Sequence, residues 1–278
     1  MSHSKTLAVL GAFMALPSSG AELKQETLDA WDLYIHVANV RMQNRAKGHF
    51  LWIDESPHRA SRVHSGEIVV SPMDGHSPQA VPSGLIHHWI GGAFIRSARL
   101  TDVIGVVRSY DRYKDFYKPT VVDARTLSQD AAEDRFSMMI ADKTLFAKRA
   151  VESDCRSRFV EIDSHKWYSV TETTRLQEFV GDRPIRDGEA SGYLWRMFTL
   201  SRYEERDGGV YVETEAIALS RPIPSMLKML VEPIVNRVSK AALTATLEQT
   251  RDATGSVIKS GSASAARRQA AKREAANE

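Results

Sequence analysis

The sequence predicts an α+β fold in which a long antiparallel sheet is covered by one amphipathic C-terminal helix. Three observations predict it. "RDGG" joins two alternating runs, "GYLWRMFTLSRYEE" and "VYVETEAIALS", which is a strong hairpin signal. Four stretches before it, "TVVDARTLSQ", "EDRFSMMIADK", "FAKRAVESDCRS" and "RFVEIDSHKWYSVTETTRLQEFV", read as long strands with polar turns between them. After it, Leu227, Leu230, Val231, Ile234, Val235, Val238, Ala241, Ala242 and Ala245 form one apolar stripe at helical spacing. A twisted sheet of about six or seven strands must cover one face, and a single helix cannot fill its concavity, so an apolar cavity is expected between them.

The first segment is expected to be a leader by its order of regions. Lys5 precedes the apolar run "TLAVLGAFMAL", and "PSSGA" places Ser19 and Ala21 at the two small-residue cleavage positions. Cleavage is expected before Glu22, with export to a bacterial periplasm, and the apolar run is too short to span a bilayer. The one thiol, Cys155, has no internal disulfide partner, so the core must hold the fold. Of the 37 basic and 35 acidic residues, six basic and three acidic lie from Arg251 onward and one, Lys5, lies in the leader, which leaves 30 and 32 for the body. That near-neutral body excludes an electrostatic case for nucleic-acid binding. Residues 251–278 are Ala/Ser-rich and basic. They are expected to be a disordered solubilising tail or a frayed helix, whose charge allows at most a transient contact with anionic lipid. The domain proper is therefore expected over 22–250.

In chain order, Leu28, Trp31, Leu33, Tyr34, Val37, Ala38, Arg41 and Met42 predict a first helix that Gly48 stops. "HFLWID" and "ASRVHSGEIVVS" read as short strands and "PMDGHSPQAVPSG" as a loop. "GLIHHWIGGAFI" reads as a strand whose paired Gly91 and Gly92 let the sheet bend. Thr101 is placed as the cap of a helix running toward Pro119. In the C-terminal helix, Pro233 is expected to kink the helix or split it after its first turns.

This order of elements, with "GLIHHWIGGAFI", "VIGVVRSYDRYKDFYKP", "GYLWRMFTLSRYEERDGGVYVETEAIALSR" and the closing helix, resembles the START-like (SRPBCC, Bet v 1-like) superfamily in its exported bacterial branch. The resemblance covers roughly Leu28 to Arg251. It implies a helix-grip fold, a curved antiparallel sheet wrapped round the C-terminal helix with an internal apolar cavity. The function it implies is a carrier for a lipid or other hydrophobic small molecule. The alternative is a cyclase- or hydrolase-type enzyme acting in the same cavity. The superfamily has no universal catalytic motif to carry over.

A two-residue hairpin loop puts Tyr193, Trp195, Met197 and Thr199 on one face with Val210, Val212, Thr214, Ala216 and Ala218, a face without formal charge that suits a cavity wall or an ordinary core. Arg196 lies on the other face, either to anchor a ligand anion or to snorkel. Arg202 there can meet Glu213 or Glu215, which reads as a solvated ladder rather than an acid–base pair. Leu227, Leu230 and Ile234 would close the cavity from the helix. Adjacent strand residues point to opposite faces, so His87 and His88 cannot share a metal. One of them faces inward, with Trp89 on the inner wall if it is His87. No metal, cofactor or catalytic residue is expected: phosphate loop, nucleophile elbow and dinucleotide fingerprint are all absent. Cys155 reads as an inert thiol, and Tyr110, Tyr113, Phe116 and Tyr117 as packing or a cavity mouth.

Overall fold

The computed structural model describes residues 23–275 apart from 145–146, 182, 185–193, 224–225 and 227. The expected leader therefore lies outside the described residues. Helix α1 (Gln25–Ala46) is followed by a 3₁₀ turn (Trp52–Glu55), α2 (Pro57–His64), and strands β1 (Val69–Pro72), β2 (Gln79–Val81) and β3 (Gly84–Arg96). Then come α3 (Leu100–Val107), a 3₁₀ turn (Tyr110–Arg112) and α4 (Tyr113–Phe116). The long strands follow: β4 (Val121–Gln129), β5 (Asp134–Thr144), β6 (Ala147–Asp163) and β7 (Lys166–Val180), with a short β8 (Arg183–Pro184). The hairpin β9 (Leu194–Arg206) and β10 (Gly209–Ser220) leads to α5 (Lys228–Ala275).

All ten strands form one antiparallel sheet in the order β1-β3-β10-β9-β7-β6-β5-β4, with β2 on β3 and β8 on β7. Helix α5 packs against β3, β1 and β10 and against α3 and α4. This is the α+β helix-grip arrangement. The predicted hairpin turn is present: Asp207 and Gly208 take φ of 55° and 75°, the primed-turn geometry that matches strand twist.

Alternation sorts β3 between two cores. Trp89, Ala93 and Ile95 pack with Leu243 and Leu247 of α5 and with Leu100, Val103 and Ile104 of α3. Ile86, Ile90 and Phe94 pack on the far face with Trp31, Ala38 and Met42 of α1 and with Leu51 to Ile53. Both faces of this half of the sheet are covered, which explains why β3 is buried along nearly its whole length. Gly91 and Gly92 serve this double covering rather than a bend. A Cβ on Gly91 would lie 2.9 Å from Leu247 Cδ1 and 2.8 Å from Val70 Cγ2, and one on Gly92 would lie 2.8 Å from Ile53 Cγ2. Gly91→Val is therefore expected to lift α5 off the sheet, at a cost of about 1–3 kcal/mol by overpacking. A thermal melt that matches the parent would remove this role.

Several local readings need correction. "HFLWID" is no strand, because the Trp52 and Ile53 amides donate to the Glu213 carboxylate (3.0 Å each), which curls the segment into a 3₁₀ turn. The start of "ASRVHSGEIVVS", through His64, belongs to α2, started by Pro57 with the Arg59 amide on Ser56 Oγ, and only its end enters β1. Part of the expected loop pairs as β2. The cap of α3 is Arg99, whose amide donates to Asp102 (2.8 Å), not Thr101. Helix α5 runs on through Pro233, which sits in its second turn where few intrahelical amides are lost. It also continues to Ala275, so of the two forms expected for the tail, disordered or a frayed helix, the described part is helical. Its alanine-rich composition favours this, and Ala253 and Thr254 are buried against the body.

Candidate functional site

On the sheet face that packs against α5, small and partly exposed side chains outline a trough. Its floor is formed by Ala216 and Ala218 of β10, with Met197 and Thr199 beside them on β9 and Thr171 and Thr173 beyond on β7. β10 is a central strand, paired on both sides, yet Ala216 and Ala218 stay partly exposed. So do Met197, Thr199, Thr171 and Thr173. Small side chains under a helix leave space that larger ones would fill. On the β3 side stand His87, opposite Ala218, and Trp89, opposite Ala216. At the helix end, Val231 and Val235 pack with Leu85 and Ile223. On the opposite flank, Tyr110 stacks on Phe136 of β5 (4.1 Å between centroids), and Tyr117 shares a hydrogen bond with Thr250 of α5 (3.2 Å).

The polar groups of this face are mostly settled. Ser157 pairs with Thr171 (2.8 Å), Ser201 with Thr214 (3.0 Å), and Thr173 donates to the Met197 carbonyl (3.3 Å). His87 Nε2 meets Ser220 Oγ at 2.8 Å, and burial pushes the His87 imidazole down to about 4, so it is neutral near pH 7. The exception is Trp89: its buried indole N–H has no partner among the described residues. An unpartnered buried donor costs stability unless something occupies it. Cys155 is buried beside Tyr110 and Phe136, and burial pushes its thiol up to about 11.

Of the expected cavity residues, His87, Trp89, Met197 and Thr199 come together on this face, and Ile234 sits partly buried in the α5 turn between Val231 and Val235. Trp195 does not join them. A bulge, with Leu219 opposite Arg196 and Ser220 opposite Leu194, leaves Trp195 out of register and packs it with the α1 core, near Gly84. Arg196 is exposed, as the snorkelling reading has it, and anchors nothing inside. Tyr193 and Leu227 fall outside the described residues, as does the side chain of Leu230.

Sequence reasoning missed a second constellation, on the far face beneath α1. Arg202, Glu213, Glu215 and His88 are all at most 2% exposed. The Arg202 guanidinium donates to Glu213 (2.7 Å) and to Glu215, and its third nitrogen contacts Met42 Sδ at 3.4 Å. His88 Nε2 donates to the other Glu215 oxygen (3.0 Å), and Nδ1 meets the Tyr34 hydroxyl of α1 at 3.0 Å. Burial would raise the Glu215 carboxyl, but Arg202 and His88 outweigh it and hold the group at about 2. Burial pushes Glu213 up, against three N–H donors aimed at its oxygens. Neither carboxylate is an exposed ladder. A sequence signal existed: Phe198, Leu200, Ile217 and Leu219 share that face, too apolar a company for a solvated one. With every group engaged, the chain clamps α1 and the Trp52 turn to the sheet. It lies on the opposite side from the trough and supplies it with no acid or base.

No family model matches the chain, and no curated protein matches it. Solved structures with a related arrangement include a STAR-related lipid transfer protein fragment from Xanthomonas axonopodis, 15% identical over 65% of this chain and 99% of that one, with a TM-score of 0.44. The Zhui aromatase/cyclase from Streptomyces sp. R1128 is 10% identical over 61% and 94%, with a TM-score of 0.44. Human STARD10 is 9% identical over 64% and 72%, with a TM-score of 0.42.

Proposed function

We propose that the protein binds a neutral, largely hydrophobic small molecule, such as a lipid, in the trough under α5 and carries it in the periplasm after export. The observation that carries this reading is the floor: two alanines of a central strand remain partly exposed on the face that α5 packs against. Apolar surface buried there drives affinity at roughly 25 cal/mol per Å², less the costs of association. The trough side chains named above carry no formal charge once His87 is neutral. The Trp89 N–H, unpartnered among the described residues, would take one acceptor, such as an ester, ether or carbonyl oxygen. An enzyme in the same trough would draw its acid or base from elsewhere, since the Glu215–His88 chain faces the other way.

Native mass spectrometry with solvent extraction tests this on protein purified from its own compartment. The parent is expected to carry a small apolar molecule. Ala218→Trp, which fills the floor, is expected to lose it while keeping a cooperative melt. A parent that is empty under these conditions would sink the proposal. Export is tested separately by a mature N-terminus at Glu22.

A further inference from the structure

A second hollow lies outside the trough. It is a groove of about 500 Å³ between the end of α2, the end of β3 and the middle of α5. Small residues make it: Gly66 follows α2 at a φ of 103°, and Gly255 and Ser256 leave the α5 wall low. Three cations border it, Arg96 from β3 and Arg251 and Lys259 from α5, against one carboxylate, Asp252. The Arg251 guanidinium is held in place by a hydrogen bond to the Gly66 carbonyl (3.1 Å), and Asp252 stands 3.7 Å from it. Arg96 lies over the Phe94 ring at 5.8 Å, Lys259 is exposed, and among the described residues neither is paired with an acid.

Three cations against one acid leave two positive charges in excess at one concave site, while the body as a whole is close to neutral. Clefts lined by one sign of charge focus the field on a counter-ion. A carboxylate would neutralise half of that excess, and a phosphate dianion matches it. We infer that this groove binds a phosphate group, free or at the head of a lipid. The Arg251 fork, already oriented by Gly66, makes the directional contact. Arg96 and Lys259 supply charge from either side. The inference is independent of the trough, which is built by other residues.

The test uses two variants, of which only the second touches a contact of the fold, the distant Arg96–Phe94 one. Gly255→Leu fills the groove, because a Cβ there meets nothing within 4 Å. Arg96→Gln with Lys259→Gln removes charge from exposed positions. Inorganic phosphate is titrated calorimetrically at low salt, and vesicles of phosphatidylcholine with and without phosphatidic acid are floated with the protein. The parent is expected to bind phosphate, and both variants to bind about tenfold more weakly or not at all, with melts no lower than the parent's. Flotation that requires phosphatidic acid and is lost in the variants assigns the group to a lipid head. Phosphate binding without such flotation assigns it to a free metabolite. Failure to bind either probe overturns the inference, as does equal binding by parent and variants. An empty trough would leave these outcomes unchanged, so the two proposals fail separately.

Discussion

Arg202→Met is expected to destabilise the protein by about 3–5 kcal/mol, a large share of the stability of a single domain. The reason is what remains rather than what is lost. Glu213 and Glu215 are 0% and 1% exposed, and without the guanidinium two carboxylates face each other's charge out of reach of water. Methionine has similar bulk, so packing against Met42 is roughly kept and the effect isolates the charge. Converting both glutamates to leucine at the same time is expected to recover only part of the loss. An apolar replacement can match a buried ion pair in general, but here Glu213 also accepts the Trp52 and Ile53 amides. Those two N–H groups would be left unpartnered. Urea denaturation of the single and triple variants checks this. A single-variant change below about 1 kcal/mol would show that the clamp is a surface ladder after all.

That clamp also shows where the sequence was legible and where it was not. Strand β3, the β9–β10 hairpin and the C-terminal helix announce themselves locally, through period-2 alternation, a turn needing two positive φ angles, and a stripe at threes and fours. The Trp52 turn does not, because the carboxylate that shapes it comes from a residue 161 positions away. Trp195 was assigned by strict alternation, and one bulge reversed its face. Arg202 and its glutamates look solvated when β9 and β10 are read alone. They become buried only because α1 closes over that face. That His87, Trp89, Met197 and Thr199 share one face was readable, since it follows from strand parity and register. The phosphate groove was invisible, because its walls come from three segments more than 150 residues apart in chain order at the extremes.

Stability is expected to fall by about 3 kcal/mol as the pH drops from 6.5 to 4, because of His87. In the unfolded chain this histidine takes a proton as the pH passes its ordinary value of 6.5, whereas burial holds it to about 4 in the fold. Between those values the unfolded state binds the extra proton, so acid favours unfolding. The contribution is fully present above pH 6.5 and lost as the pH falls through 4. Glu215 acts in a lower window, from the ordinary carboxylate value of 4.5 down to about 2, so its loss follows after that of His87. Glu213, raised by burial, works in the opposite direction above 4.5. The informative comparison is therefore with His87→Gln, in which both glutamates are unchanged and a polar group still reaches toward Ser220. Urea midpoints across this range should slope steeply in the parent and shallowly in the variant. Parallel slopes would mean that His87 takes its proton inside the fold, and that the floor beside Ala218 is wetter than its burial implies. A charged His87 would also change what the trough accepts, since a cation at its wall favours an acidic ligand over a neutral one.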